Sequence, residues 1–216
     1  MRLGVFDSGI GGQAVAERLA ELLPDAEIIS INDHDNVPYG SRPTQDIVEL
    51  SDSAIQPLLD AKCDAIIIAC NTVTTVAIHI LRARYPGVIF IGIEPMVKPA
   101  ASLTKTKTIA VLATPATLKS DQYAQLKKLW AADITVLEPD CSAWAALIES
   151  GHAQQIPIEN TVNELIRQQA DVIVLACTHF HWLKKRAEDA AGSRATVLEP
   201  SDAISDRILT VLDKDL

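Results

Sequence analysis

The strongest constraint on this chain is that it repeats itself. RLGVFDS at Arg2–Ser8 resembles IAVLATP at Ile109–Pro115, and DAIIIACNT at Asp64–Thr72 resembles DVIVLACTH at Asp171–His179. Both pairs are displaced by the same 107 residues, so Asp7 stands 63 residues before Cys70, as Thr114 does before Cys177. Two matches in one register predict two similar halves. Residues 1–93, with a last helix over 205–216 folded back through Ile204, Ile208 and Val211, are expected to form the first. Residues 94–204 form the second. The joint falls near Glu94–Lys107, where two prolines and the polar TKTKT stretch interrupt the apolar pattern.

Within each half, two patterns alternate. Short, mostly β-branched runs lie at Arg2–Phe6, Glu27–Ile31, Ala65–Ala69, Val88–Ile93, Thr108–Ala113, Ile134–Leu137, Val172–Ala176 and Thr196–Leu198. Unbroken apolarity over about five residues fits strands buried on both faces. Between them run helical stripes, such as Ile47, Leu50, Ala54, Leu58 and Ala61, or Ile158, Val162, Leu165 and Gln169. This alternation predicts an α/β protein with two similar parallel-sheet domains and the active site in the cleft between them. Ligands of such sheets bind beyond the carboxyl ends of the strands. FDSGIGG, ACNT, ATPAT and ACTH all leave strands there, each followed by a helical pattern whose N–H groups suit a carboxylate or phosphate.

Composition narrows the partners. With 28 acidic and 19 basic side chains among 216 residues, the net charge of −9 offers no basic face for nucleic acid. No apolar run reaches the roughly 18 residues of a membrane span, and MRLGVFDSG lacks the layout of an export signal. A cytoplasmic location with reduced cysteines is therefore expected.

Four cysteines then need an account. Cys63 lies just before a strand and Cys141 has no counterpart in the other half, and both are expected to be inert. Cys70 and Cys177 occupy equivalent positions, which would place two thiols on opposite walls of one cleft. Inverting a carbon centre without a cofactor needs a base on one face and an acid on the other, and paired thiols suit that task. A helix N-terminus and a neighbour such as His179 would lower a thiol toward neutral pH. A zinc site on Cys70, Cys177 and His179 is the competing use, although no C-x-x-C or H-x-x-x-H spacing occurs. A Cys-His nucleophile for acyl transfer is another, and it leaves the second cysteine without a role.

FDSGIGG, DHDNVPYG (Asp33–Gly40), ACNT, GIEPMVKPA (Gly92–Ala100), ATPATLKSDQY (Ala113–Tyr123) and LACTHF (Leu175–Phe180) run in an order and spacing similar to the glutamate racemases of the aspartate/glutamate racemase superfamily. CSAWAALIESG (Cys141–Gly151) resembles the family segment that ends in an active-site Glu. The resemblance implies a cofactor-independent, metal-free racemase of L- and D-glutamate that supplies D-glutamate for peptidoglycan. It implies Cys70 and Cys177 as the acid/base pair, assisted by Asp7, Asp33, Glu149 and His179. Substrate contacts would come from Ser8, Pro38, Tyr39, Gly40, Asn71, Thr72, Thr114, Thr117 and Thr178. An aspartate racemase or related dicarboxylate isomerase of the same superfamily, or an amino-acid-binding protein that has lost turnover, are the alternatives, and a homodimer is left open. The chain departs from the family pattern at His181-Trp182, where a proline commonly follows CTH-aromatic, and His181 is expected at the rim.

Overall fold

The computed structural model describes residues 1–200 together with Ile208 and Thr210. Its first half contains β1 (Arg2–Asp7), α1 (Gly12–Leu22), β2 (Glu27–Asn32), α2 (Thr44–Ala54), α3 (Gln56–Asp60), β3 (Ala65–Ile68), α4 (Asn71–Val76), α5 (Ile78–Arg84) and β4 (Phe90–Gly92). After α6 (Val97–Leu103) comes β5 (Thr108–Ala113), then α7 (Pro115–Lys119), α8 (Asp121–Trp130), β6 (Thr135–Leu137), α9 (Trp144–Glu149), α10 (Ile158–Arg167), β7 (Val172–Ala176), α11 (Lys184–Ala191) and β8 (Thr196–Leu198). Both sheets are parallel and share one topology, β2-β1-β3-β4 and β6-β5-β7-β8. All eight expected strand runs contain a strand.

The inner strands are mostly apolar because helices cover both faces. Leu3, Val5, Ala65 and Ile67 pack on one side of the first sheet, and Phe6, Ile66, Ile68 and Cys70 on the other. The second sheet divides likewise, with Ile109, Val111, Val172 and Val174 opposed to Ala110, Leu112, Ile173 and Leu175. Burying each such Leu, Ile or Val contributes about 1.5–3 kcal/mol. Edge strands β2, β6 and β8 are partly exposed.

Three details differ from expectation. Leu3 pairs with Ala65, whereas Ile109 pairs with Val172. Strands β1 and β5 are therefore equivalent at a displacement of 106, one less than the 107 that relates β3 to β7. A one-residue slip exchanges the faces of a strand. Ser8, not Asp7, thus corresponds to Thr114. Next, the long stripe from Ile47 is broken by Pro57 into α2 and α3, and its buried face is Ile47, Val48, Ser51, Ile55 and Leu58. Gln169 lies past the end of α10 at φ 71°, a left-handed exit from the helix, and is not part of its apolar stripe. The polar joint also carries α6, whose Val97 and Ala100 are buried. Ile208 is buried among Leu3, Val5, Val15 and Leu19, while Ile204 and Val211 lie outside the described residues.

Candidate active site

In each sheet the chain first steps outward and then returns to the other side of its starting strand, so the order reverses between β1 and β3 and between β5 and β7. A crevice opens at the carboxyl ends of strands at such a reversal. Asp7, Ser8, Cys70, Asn71 and Thr72 stand at the first, and Thr114, Cys177, Thr178 and His179 at the second. The two reversals face each other and are joined by hydrogen bonds. The Thr178 hydroxyl donates to Asp7 Oδ2 at 2.9 Å, and the Ile10 N–H to Glu149 Oε1 at 2.9 Å. Thr72 Oγ1 and Thr114 Oγ1 are 2.9 Å apart, and the Ala116 N–H donates to the Gly40 carbonyl at 2.9 Å.

This closeness explains the glycines of FDSGIGG. A Cβ at Gly9 would run into the Glu149 carboxylate and come within 2.8 Å of His179 Nε2. At Gly11 it would come within 2.5 Å of Thr178 Cβ and 2.9 Å of the Thr178 carbonyl carbon. The loop is glycine-rich because the second half leans on it.

The thiols are nearly sealed, with Cys70 5% and Cys177 6% exposed. Cys70 Sγ lies 3.2 Å from Ser8 Oγ, in a hydrogen bond that either group can donate. Burial, reinforced by the negative charge of Asp7, pushes the Cys70 thiol up to about 12. The expected lowering toward neutral pH is therefore absent on this side, where burial and Asp7 outweigh the hydrogen bonds from Ser8 and the Val73 N–H. Asp7 is fully buried, and burial also raises its carboxyl, against the pull of His179 and of hydrogen bonds from the Gly9 N–H and the Thr178 hydroxyl.

Cys177 has a different neighbour. Its Sγ is 3.7 Å from His179 Nδ1, and His179 Nε2 contacts Glu149 Oε1. Burial pulls the His179 imidazole down, but the bonds to Cys177 and Glu149 outweigh it and hold the group well above 6.5. Burial likewise pushes Glu149 up, and His179 with the Ile10 N–H holds it below its ordinary value. The imidazole is thus held beside Cys177 with a carboxylate behind it that favours its protonated form.

The remaining expected residues form two groups. Asp33 accepts from the Tyr39 hydroxyl at 2.6 Å and from Asn36 Nδ2 at 2.9 and 3.0 Å, beside the cis Val37–Pro38 bond that leads to Gly40. Burial and Asp33 raise the Tyr39 hydroxyl. Asn71 donates to the Ile93 carbonyl at 2.8 Å while its buried Oδ1 has no hydrogen-bond partner among the described residues. Thr117 is fully buried and accepts from the Thr114 hydroxyl at 3.1 Å. Sequence reasoning missed the Ile10 N–H and the Ala116 N–H as bridging groups, because a backbone donor leaves no side-chain signature.

Of the other thiols, Cys141 shares a core cluster with Cys177. Cys141 is buried beside Trp144 and Ile148, and burial raises its thiol; Cys63 is half-buried. His181 is partly exposed, with Nδ1 3.6 Å from Glu199 Oε2, and Trp182 is exposed. Among the described residues, no group of three or more His, Cys, Asp or Glu is placed to hold a metal ion, and no helix is long and apolar enough to cross a membrane.

The sequence model of the Asp/Glu/Hydantoin racemase family matches residues 12–206. Glutamate racemase of Sulfurovum sp. strain NBC37-1 is 36% identical over 221 aligned residues, covering 99% of this chain and 83% of the relative. That of Herpetosiphon aurantiacus is 36% identical over 218, covering 98% and 85%. Among solved structures, Escherichia coli glutamate racemase in complex with L-glutamate and the activator UDP-MurNAc-Ala superimposes with a TM-score of 0.85 at 27% identity, over 98% of this chain and 82% of that one. Francisella tularensis glutamate racemase in complex with D-glutamate gives 0.82 at 29%, over 99% and 81%.

Proposed function

The chain belongs to the Asp/Glu/Hydantoin racemase family, and from that premise we propose that it is a glutamate racemase working by proton transfer between two thiols. The observation that carries this reading is the pairing of Cys70 and Cys177 just beyond inner strands β3 and β7, at two chain reversals that close on each other. One sulfur removes the Cα proton of the bound amino acid, and the other returns a proton to the opposite face. In the reverse reaction they exchange tasks. Cys70 rests as the thiol, ready to donate; Asp7, whose raised carboxyl binds protons more readily than a surface Asp, is suited to take its proton when the direction changes. His179, backed by Glu149, serves Cys177 in the corresponding way.

An α-proton of an amino acid is weakly acidic, so the site must stabilise the carbanion-like state by fixed dipoles and keep water out. The burial of the thiols and of Ser8, Asn71, Thr72 and Thr178 supplies both. Hydroxyls and amide groups of these residues are suited to the two carboxylates and the ammonium of glutamate, with Asp33, Pro38, Tyr39 and Gly40 shaping the same wall. The reaction needs neither cofactor nor metal in this scheme, and its D-glutamate would serve peptidoglycan synthesis in the cytoplasm. Burial of Ile208 against the first sheet supports assigning 205–216 to residues 1–93, with 94–204 as the second domain. A homodimer is the assembly to look for by sedimentation.

The test is isotopic. Incubated with L-glutamate in deuterated water, the protein should exchange the α-proton and form D-glutamate, with L-aspartate inert. Exchange of aspartate alone would reassign the substrate, and binding without exchange of either would overturn the enzyme.

A further inference from the structure

The turn after β1 holds a carboxylate from each half. The Gly9 N–H donates to Asp7 Oδ1 at 2.9 Å, and the next amide, that of Ile10, donates across the cleft to Glu149 Oε1 at 2.9 Å. A backbone N–H can only donate, so the direction of both bonds is fixed. Glu149 is also the partner of His179, which lies beside Cys177. The acid/base group of the second half is thus completed by an amide of the first.

The side chain of Ile10 aims that amide. Among the described residues, Ile10 is the one member of the first half that packs against the apolar cluster of Trp144, Ile148, Cys177 and Phe180 in the second. The Gln13 N–H donates to the Ile10 carbonyl at 3.1 Å, so the residue is tied at its amide, its side chain and its carbonyl. Val37 Cγ1 comes within 2.9 Å of the position a Cβ would take on Gly9, the same position that meets Glu149 and His179, so atoms of the first half cover that pair. A second contact runs the other way. Ala116 packs against the first-half cluster of Phe6, Tyr39, Cys70 and Val73, and its amide meets the Gly40 carbonyl, which is neither acid nor base.

We infer that Ile10 is a positioning residue for Cys177: docked in the core of the second half, its side chain aims the Ile10 N–H at Glu149, so that closing the cleft finishes the pair of His179 and Glu149. The inference rests on the reading of the protein as a two-thiol racemase. Ala116 fastens the halves in the same manner but holds no proton-carrying group. Trimming Ile10 should therefore slow proton transfer at one sulfur, whereas trimming Ala116 should weaken closure without favouring either.

The experiment compares racemization from α-deuterated L- and D-glutamate. Each enantiomer gives its Cα hydrogen to one of the two sulfurs, so the isotope effect grows for the enantiomer whose deprotonation has become the slower step. Ile10→Ala should lower kcat about tenfold, the scale of one hydrogen bond to a charged group. It should raise the isotope effect from the same enantiomer as Glu149→Gln does, and not from the other. Ile10→Val, which keeps a branched apolar side chain, should regain most of the rate. Ala116→Gly should keep the two isotope effects in their wild-type ratio. A normal rate in Ile10→Ala overturns the inference, as does a slower variant with the wild-type ratio, or the same asymmetry in Ala116→Gly. Thermal melting identifies a variant that has lost its fold, and Ile10→Thr then takes the place of Ile10→Ala. Carbon-13 NMR titration of the Glu149 carboxyl is a second readout that needs no turnover. His179 and, from the first half, Asp7 and His34 also act on this carboxyl, and all three stay in place. A hydrogen bond to the ionised form favours that form, so the Glu149 midpoint should move up in Ile10→Ala and stay in Ala116→Gly. An unmoved midpoint in Ile10→Ala overturns the inference. Wild-type protein that exchanges no α-proton overturns the racemase reading instead, and the Glu149 titration then decides the role of Ile10.

Discussion

Cys70 and Cys177 stand at one backbone position of two similar halves, each just beyond an inner strand and just before a helical turn, but their neighbours differ in kind. Cys70 has a hydroxyl and an acid near it, and its thiol is pushed up to about 12. Cys177 has an imidazole held well above 6.5 by a carboxylate. The repeated frame places two equivalent sulfurs, and unrelated side chains manage their protons. A racemase needs matched action on both faces of its substrate; here the match comes from two different devices. Symmetry sets where the sulfurs are, and local chemistry sets what each one holds.

The comparison breaks most severely if one sulfur is dispensable. Cys70→Ala and Cys177→Ala should each lower racemization by roughly 10³-fold or more, followed by circular dichroism of D- and L-glutamate. Survival of either variant at normal rate would end the two-thiol scheme. Gly9→Ala comes next, because its methyl group meets Glu149 and His179 behind Cys177, while its own N–H holds Asp7 on the Cys70 side, so both devices are strained at once. A loss of about 10²-fold in kcat is expected, as for a small misplacement of reacting groups.

Glu149→Gln sharpens the contrast through pH. Glu149 helps keep His179 protonated to higher pH, so without the carboxylate the imidazole should lose its proton at lower pH, and the limb of kcat that depends on it should move down. A cost of about tenfold at neutral pH is expected. The same pair contributes stability wherever His179 is protonated and Glu149 ionised. That stability is lost as pH falls through the folded value of Glu149, and again as pH rises through the folded value of His179. Melting curves across pH should therefore show the variant weaker than wild type near neutrality and converging with it at both extremes. The smallest effect is expected for Ser8→Ala, about threefold in kcat, with the limb assigned to His179 unmoved. A shift of that limb would mean that the two devices are coupled.

Much of this arrangement was legible in the sequence because the inner strands are buried on both faces, leaving apolar runs whose shortness and β-branched content mark them as strands. The repeat placed the cysteines correctly, since β3 and β7 keep one displacement. It set β1 against β5 one residue off, because a strand that is apolar on both faces carries no alternation by which to fix its faces. Gly9 and Gly11 could be read as a turn, but the reason for them sits some 140 and 167 residues away, at Glu149 and Thr178. The upward push on Cys70 comes from depth of burial, which the ACNT motif does not express.

Because both sulfurs are almost wholly covered, a reagent such as iodoacetamide can reach them only while the halves stand apart. The rate of alkylation at saturating reagent then becomes a clock for the opening of the cleft. Bound glutamate should slow that clock, and the enzyme's own nucleophiles would report its breathing without any attached label.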